Sequence, residues 1–133
     1  MLGLGCMTLA SAATLADEAI ETPTQLRMAY IDNTQTLISI SGGKAICVGS
    51  IAGYQGTTTK VVITLILQRK LASNSTWTDY YSDPPQTFNS YRGTASLTKD
   101  IVKGYQYRTK AVYTAYAGAK YETLTQYSGA LSY

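Results

Sequence analysis

Residues 105 to 117 read YQYRTKAVYTAYA, and their alternation decides the fold class. In an extended chain, successive side chains point to opposite faces. One face would carry the aromatic and small side chains: Tyr105, Tyr107, Thr109, Ala111, Tyr113 and Ala115. The other face would carry more polar ones: Gln106, Arg108, Lys110, Val112, Thr114 and Tyr116. This pattern is typical of a half-buried antiparallel strand.

A second long strand is predicted at residues 57 to 70, which read TTTKVVITLILQRK. Alternate positions from Val61 to Leu67 are apolar and form the predicted core face. A helix is the competing interpretation for such an apolar run. The β-branched residues between Val61 and Ile66, with three threonines just before them, favour the strand.

A hairpin is predicted upstream, because the segment Thr36–Ser41 alternates isoleucine with serine and is followed by Gly42-Gly43. Two adjacent glycines tolerate the positive φ that a two-residue hairpin turn requires. The returning strand is predicted at Lys44–Tyr54.

Shorter strands complete the pattern. Trp77 opens one that we expect to fold back on Leu65 and Leu67, so that Trp77 would cap that core. Asp83-Pro84-Pro85 ends it, because proline cannot donate to a strand ladder. Residues 86–93 are predicted as a loop, with further strands at Thr94–Thr98 and Lys120–Tyr133. Six or seven short strands separated by turns predict an all-β fold, an antiparallel β-sandwich.

The domain organisation follows from the N-terminal sequence. Residues 1–16 carry no charge, are apolar and end in small residues, which predicts a signal-peptide remnant and a secreted or extracellular protein. The alternative is a short buried helix or first strand. The run is shorter than the ~20 apolar residues of a transmembrane helix. Residues 17–35 are predicted to be a polar linker, and residues 36–133 the β-sandwich domain.

A family resemblance lies in the segments Ala95–Leu97 and Lys103–Ala111, which includes the run K-G-Y-Q-Y-R. They resemble the end of an immunoglobulin-like or fibronectin type III domain. The resemblance implies a tyrosine corner at Tyr105 or Tyr107, in which the hydroxyl bonds back to the preceding turn. The general layout also resembles small exported proteins of uncharacterised function from Gram-positive bacteria, and no activity follows from that likeness.

The inventory of reactive side chains argues against an enzyme. The chain has no His, so neither a Cys-His nor a Ser-His pair can form. Cys47 lies in an apolar stretch and is interpreted as a small buried hydrophobic residue. Asp79 and Asp83 flank a turn and are interpreted as turn formers, with calcium binding or catalysis as alternatives. We therefore predict no catalytic residue, metal or cofactor, and keep a carboxylate-dependent hydrolase as the least favoured alternative.

Trp77, Tyr80 and Tyr81 are the candidate ligand-binding residues, because they cluster near a loop and flat aromatic faces stack on sugars and protein partners. Ordinary packing in the sandwich is the alternative. The leading hypothesis is a surface or extracellular interaction module whose partner is an unknown protein or glycan, with glycan binding as the narrower alternative. Nucleic-acid binding is not predicted, since the basic residues are scattered along the sequence. The sequence carries no indication of the oligomeric state.

Overall fold

The computed structural model describes residues 28–133, and this part of the chain is antiparallel β-structure. The strands are β1 (Ile31–Ser41), β2 (Lys44–Gly53), β3 (Lys60–Leu71), β4 (Thr78–Ser82), β5 (Gln86–Phe88), β6 (Arg92–Asp100), β7 (Tyr105–Ala117), β8 (Lys120–Tyr127) and β9 (Leu131–Ser132). The predicted signal-peptide remnant and most of the predicted linker lie outside the described residues.

The strands form two sheets, which we call sheet A and sheet B. Sheet A has the order β1-β2-β6, and sheet B has the order β4-β3-β7-β8, with β5 beside β3 and β9 beside β7. In immunoglobulin lettering, β1, β2 and β6 occupy positions A, B and E, while β3, β7 and β8 occupy positions C, F and G. The predicted antiparallel, immunoglobulin-like β-sandwich is therefore confirmed, with β4 extending the second sheet beside position C.

The core lies between the sheets, where the predicted alternation is confirmed. On β7 the residues Tyr107, Thr109, Ala111, Tyr113 and Ala115 are all buried. On β3 the predicted face of Val61, Ile63, Leu65 and Leu67 is buried as well. Sheet A adds Ala45, Cys47, Ile51, Ala95 and Leu97. Burying these apolar side chains is the main driving force for pairing the sheets.

Gly49 on the central strand of sheet A makes room for a large residue of sheet B. A Cβ built on Gly49 would lie 2.8 Å from Leu65 Cδ2 and 2.9 Å from the Tyr113 hydroxyl. That hydroxyl crosses the core and donates to the Gln35 carbonyl oxygen at 2.8 Å. Tyr113 and Gly49 therefore set how closely the two sheets approach.

The hairpin and the tyrosine corner are found as predicted. Gly42 and Gly43 have φ of 59° and 75°, and Ser41 pairs with Lys44 across the turn. Tyr107 is the corner residue, since its hydroxyl donates to the Val102 carbonyl oxygen at 2.7 Å.

Several details differ from the prediction. The predicted loop at residues 86–93 is wrong in part, because it contains β5 and the start of β6. The first strand begins at Ile31 rather than at Thr36, so the end of the predicted linker belongs to the sandwich. The Glu122 carboxylate fixes this start by accepting the backbone N–H groups of Ala29, Tyr30 and Ile31. Within residues 28–133 there are nine strands instead of six or seven, because residues 86–88 pair with β3 and the last predicted strand divides into β8 and β9.

Candidate binding surface

The three aromatic residues singled out in the sequence do not share one surface. Trp77 is half-buried just before β4, and its ring lies 4.3 Å from the guanidinium carbon of Arg108, on the side of β7 that points away from the core. The expectation that Trp77 caps the core at Leu65 and Leu67 was therefore wrong. The pairing of β4 with β3 has a bulge between Leu67 and Gln68. The side chains of β4 on the two sides of this bulge therefore do not follow strict alternation between the faces of the sheet.

Tyr80 packs inward instead. Its ring meets the buried Tyr107 edge-on, with centroids 6.3 Å apart. The Arg69 guanidinium lies 4.0 Å from the Tyr80 ring centroid and 4.1 Å from that of Tyr105, so it is held between two aromatic rings. Tyr80 therefore contributes to the end of the core, which matches the packing alternative for this residue.

Tyr81 is 37% exposed, and it lies on the side of sheet B that faces sheet A. The Lys99 ammonium group of β6 lies 4.5 Å from its ring centroid. The nearby Asp83 carboxylate raises the pKa of the Tyr81 hydroxyl.

The outer face of sheet B is the surface that points away from the core, and strand register builds it from residues far apart in sequence. Gln68 of β3 is paired with Arg108 of β7, and Lys110 of β7 is paired with Tyr127 of β8. Lys70 lies two positions beyond Gln68 on the same strand. Residues at these positions share a face because the side-chain period of a strand is two.

Arg108 occupies the centre of this surface. Its guanidinium carbon lies 4.3 Å from the Trp77 ring centroid and 4.2 Å from that of Tyr127. Arg108 Nε donates to Gln68 Oε1 at 2.8 Å, and Gln68 Nε2 donates in turn to Asp79 Oδ1 at 2.8 Å. Stacking on both faces and a bond at Nε fix the orientation of the guanidinium plane.

Two lysines surround this arginine. Lys70 Nζ lies 5.6 Å from the Trp77 ring centroid, so it shares that ring with Arg108, and Lys110 follows two positions after Arg108 on β7. We call Lys70, Arg108 and Lys110, with the rings of Trp77 and Tyr127, the cationic cluster. Burial lowers the pKa of the Arg108 guanidinium, but arginine keeps its proton at any physiological pH.

The cationic cluster has little opposite charge close to it. Between Met28 and Tyr133 the one salt bridge is Lys44–Asp100, on sheet A. The Asp79 carboxylate is linked to Arg108 indirectly, because the neutral amide of Gln68 is hydrogen-bonded to both. Three cations therefore lie together without a direct ion pair in the described part of the chain.

The opposite end of the outer face of sheet B carries a smaller group that also combines a cation with aromatic rings. Lys60 Nζ lies 4.2 Å from the Tyr116 ring centroid, and the rings of Tyr116 and Tyr121 are 5.5 Å apart. Tyr121 is 63% exposed. Between the two ends the face carries small and β-branched side chains, including a Thr114–Thr123 hydroxyl pair at 3.1 Å.

Sheet A carries a shallow concavity of about 370 Å³ on its own outer side. Ser50 and Ala52 of the central strand form part of its floor, and longer side chains of the flanking strands rise beside them: Asn33, Gln35 and Arg92. The volume falls in the range of about 300–1,000 Å³ found for small-molecule sites. Its open shape and single charged residue make it a weaker candidate than the cationic cluster.

The groups that acid–base or nucleophilic chemistry would need are not assembled in the described residues. Cys47 is fully buried, and burial raises the pKa of its thiol. No group of three or more Cys, Asp or Glu side chains that would hold a metal ion is found from residue 28 onward. That stretch also has no helix of the length and apolarity needed to span a membrane.

Trp77 was singled out from the sequence, but its partners in the cationic cluster were not. The polar face of β7 was predicted, including Arg108 and Lys110, so part of the signal was present. Strand pairing brings Lys70 and Tyr127, which are 57 positions apart in sequence, to either side of β7, and periodicity within one strand does not reveal such neighbours.

Comparisons with known proteins give limited likenesses. No protein-family model matches the chain, and no curated protein matches it. Among solved structures, it is similar to CsgH from R. palustris, with 14% identity and a TM-score of 0.40 over 69% of this chain and 87% of CsgH. It is also similar to OgpA from Akkermansia muciniphila, with 13% identity and a TM-score of 0.40 over 80% of this chain and 30% of OgpA. Neither likeness supplies a function for this chain.

Proposed function

We propose that the protein is an exported, non-enzymatic interaction module that binds its partner through the outer face of sheet B. The observation that carries this proposal is the cationic cluster. Like charges placed together raise the free energy of the folded protein unless an anion or solvent screens them. Lys70, Arg108 and Lys110 share a small area of one sheet without a direct ion pair in the described residues, and their arrangement therefore favours an anionic partner.

The rigidity of the cluster supports the same proposal. Arg108 is held by two rings and by Gln68, so its remaining N–H donors project from a fixed plane. Binding surfaces that are already ordered lose less conformational entropy when a partner arrives. The strand register of the sheet keeps the backbone positions of Lys70, Arg108 and Lys110 at constant spacing.

Charge reversal on the surface tests this function. The full-length protein and its Lys70→Glu/Lys110→Glu variant would be applied to immobilised acidic and neutral polymers. Lys103→Glu/Lys120→Glu is the matched control, because it changes the net charge equally at exposed sites outside the cluster and outside the concavity of sheet A. We expect the first variant to lose binding and the control to retain it. Equal binding by both variants would contradict a role for this face.

Export is the part of the proposal that the N-terminal sequence supports. Mass spectrometry of the protein from its source culture would identify the mature N-terminus. We expect a chain that begins after Ala12 or Ala16 in the extracellular fraction. An intact Met1 on protein found only inside cells would contradict export, and it would leave the binding role of sheet B to be judged separately.

A further inference from the structure

We propose that the partner of the cationic cluster is an acidic polysaccharide, whose carboxylate or sulfate groups bind Lys70, Arg108 and Lys110. This inference rests on the proposed function and adds the chemical class of the ligand. It follows from the spacing of the charges, from the rings beside them and from the shape of the sheet.

The charges form a short row rather than a pocket. Arg108 and Lys110 are two positions apart on β7, a separation of about 6.8 Å along a strand. Lys70 on the neighbouring strand is paired with Gln106, so it is offset from Arg108 by about 4.8 Å across the sheet and about 6.8 Å along it, on the side away from Lys110. Such a row presents several cations to one extended ligand. A polymer with an anionic group on successive sugar units can neutralise all three cations of the row, whereas a single small anion cannot.

The surroundings of the row suit a sugar. Tyr127 is 40% exposed and Trp77 is half-buried, so parts of both rings remain available beside the charges. Aromatic rings with a polar edge offer an apolar surface to the C–H groups of a sugar and a hydrogen-bonding group to its hydroxyls. Gln106 and Thr125 lie on the same outer face and add amide and hydroxyl groups at its margin.

Single-stranded nucleic acid fits the cluster less well. Sequence-tolerant binders of single strands stack bases on free aromatic faces. Here the Arg108 guanidinium lies 4.3 and 4.2 Å from the ring centroids of Trp77 and Tyr127, so it covers a face of each ring on which a base would stack. An acidic peptide is the competing ligand, since clusters of basic residues also recognise acidic motifs, and polyglutamate represents it in the experiment.

The experiment compares polyanions of different chemistry on the full chain. The probes are alginate as a polyuronate, heparin as a sulfated glycan, dextran as a neutral glycan, single-stranded DNA and polyglutamate. Affinity is measured by biolayer interferometry at two salt concentrations, and Trp77, the single tryptophan, gives an independent fluorescence signal from within the cluster.

We expect alginate or heparin to bind most tightly and dextran to bind weakly. Lys70→Glu/Lys110→Glu should raise the dissociation constant about tenfold or more, and Lys103→Glu/Lys120→Glu should raise it less than about twofold. Added salt should weaken binding. Circular dichroism melting of both variants shows that each still folds.

Two failures are distinguishable. Tighter binding of DNA or polyglutamate, still lost in Lys70→Glu/Lys110→Glu, would overturn the polysaccharide and keep the outer face as the binding surface. If no probe distinguishes Lys70→Glu/Lys110→Glu from its control, both the ligand class and the proposed binding face fail.

Discussion

The Tyr107 hydroxyl donates a hydrogen bond to the Val102 carbonyl oxygen at 2.7 Å and accepts one from the Val102 N–H at 3.2 Å. One side chain thus satisfies both backbone groups of a residue in the turn between β6 and β7. This turn carries the chain from sheet A to sheet B, so the two bonds hold the sheets in their relative position.

Removing that hydroxyl should weaken the turn. We expect Tyr107→Phe to lower the free energy of unfolding by about 1 to 2 kcal/mol, because it leaves two backbone groups without their partner. Tyr105→Phe is the matched control, since the Tyr105 ring stacks on Arg69 and keeps that contact without its hydroxyl. Urea unfolding measures both changes, and an equal loss in the two variants would refute the role of the corner.

Gly49 should not tolerate a side chain. In Gly49→Ala the new methyl group would press on Leu65 and the Tyr113 hydroxyl, at distances below 3.0 Å. Overpacking of this kind destabilises a core by about 1 to 3 kcal/mol. Gly129→Ala is the control, because a Cβ there meets no atom within 4 Å. Thermal unfolding should show a clearly lower melting temperature for Gly49→Ala and an unchanged one for Gly129→Ala. An unchanged melting temperature for Gly49→Ala would mean that the two sheets can move apart to admit a methyl group at little cost.

Tyr113 should make the domain sensitive to alkali. Burial raises the pKa of its hydroxyl from 10.0 to about 12. Since the folded pKa is the higher one, the unfolded chain releases this proton first as the pH rises above 10. The neutral Tyr113 hydroxyl therefore contributes on the order of 2 to 3 kcal/mol to the free energy of unfolding relative to its ionised form. This contribution is fully present below pH 10 and is lost as the pH rises through 12.

A Tyr113→Phe variant lacks this titration and isolates its effect. Near pH 8 the variant should be less stable than the wild type by about 1 kcal/mol, because it loses its hydrogen bond to the Gln35 carbonyl oxygen. Chemical unfolding between pH 8 and 12 should show that difference shrinking and then reversing. A difference that stays constant with pH would contradict the raised pKa of Tyr113.

Glu122 should anchor the start of β1. Its Oε1 atom accepts the N–H groups of Tyr30 at 2.5 Å and Ile31 at 3.1 Å, and Oε2 accepts that of Ala29 at 3.2 Å. Bonds to a charged acceptor contribute more than neutral ones, so Glu122→Gln should lower the free energy of unfolding by about 1 to 3 kcal/mol.

Amide hydrogen exchange measures directly whether Glu122 protects the start of β1. The amides of Ala29, Tyr30 and Ile31 should exchange faster in Glu122→Gln, while those of β7 change little. Asp32→Asn is the control, because it also removes one negative charge and Asp32 is exposed. Unchanged exchange at these three amides would show that the carboxylate is not what holds them.

Features that depend on short stretches of sequence were predicted well. The bounds of β7 and the turn at Gly42-Gly43 follow from alternation and from glycine chemistry, and the proline pair at 84 and 85 marks the end of β4. Each of these signals acts within a few residues. The immunoglobulin-like order was reached through a resemblance whose corner tyrosine is now located at Tyr107.

Features that depend on distant partners were not predicted. Residues 32–35 are polar and were assigned to a linker, but a carboxylate 91 residues away from Ile31 fixes the start of this strand. Trp77 was expected to fold back on the core, whereas Arg108, 31 positions later, offers it a cation on the outer face. Sequence periodicity describes the faces of one strand, and it does not say which strands will be neighbours.

The stacked position of Arg108 has a thermodynamic consequence. A free arginine at a surface samples many rotamers, and ordering it on binding costs about 0.5 to 1.5 kcal/mol. Here the two rings and Gln68 have already ordered it in the folded protein. Calorimetry should therefore find a smaller entropic penalty for anion binding by this protein than by a variant in which Trp77→Ala frees the guanidinium.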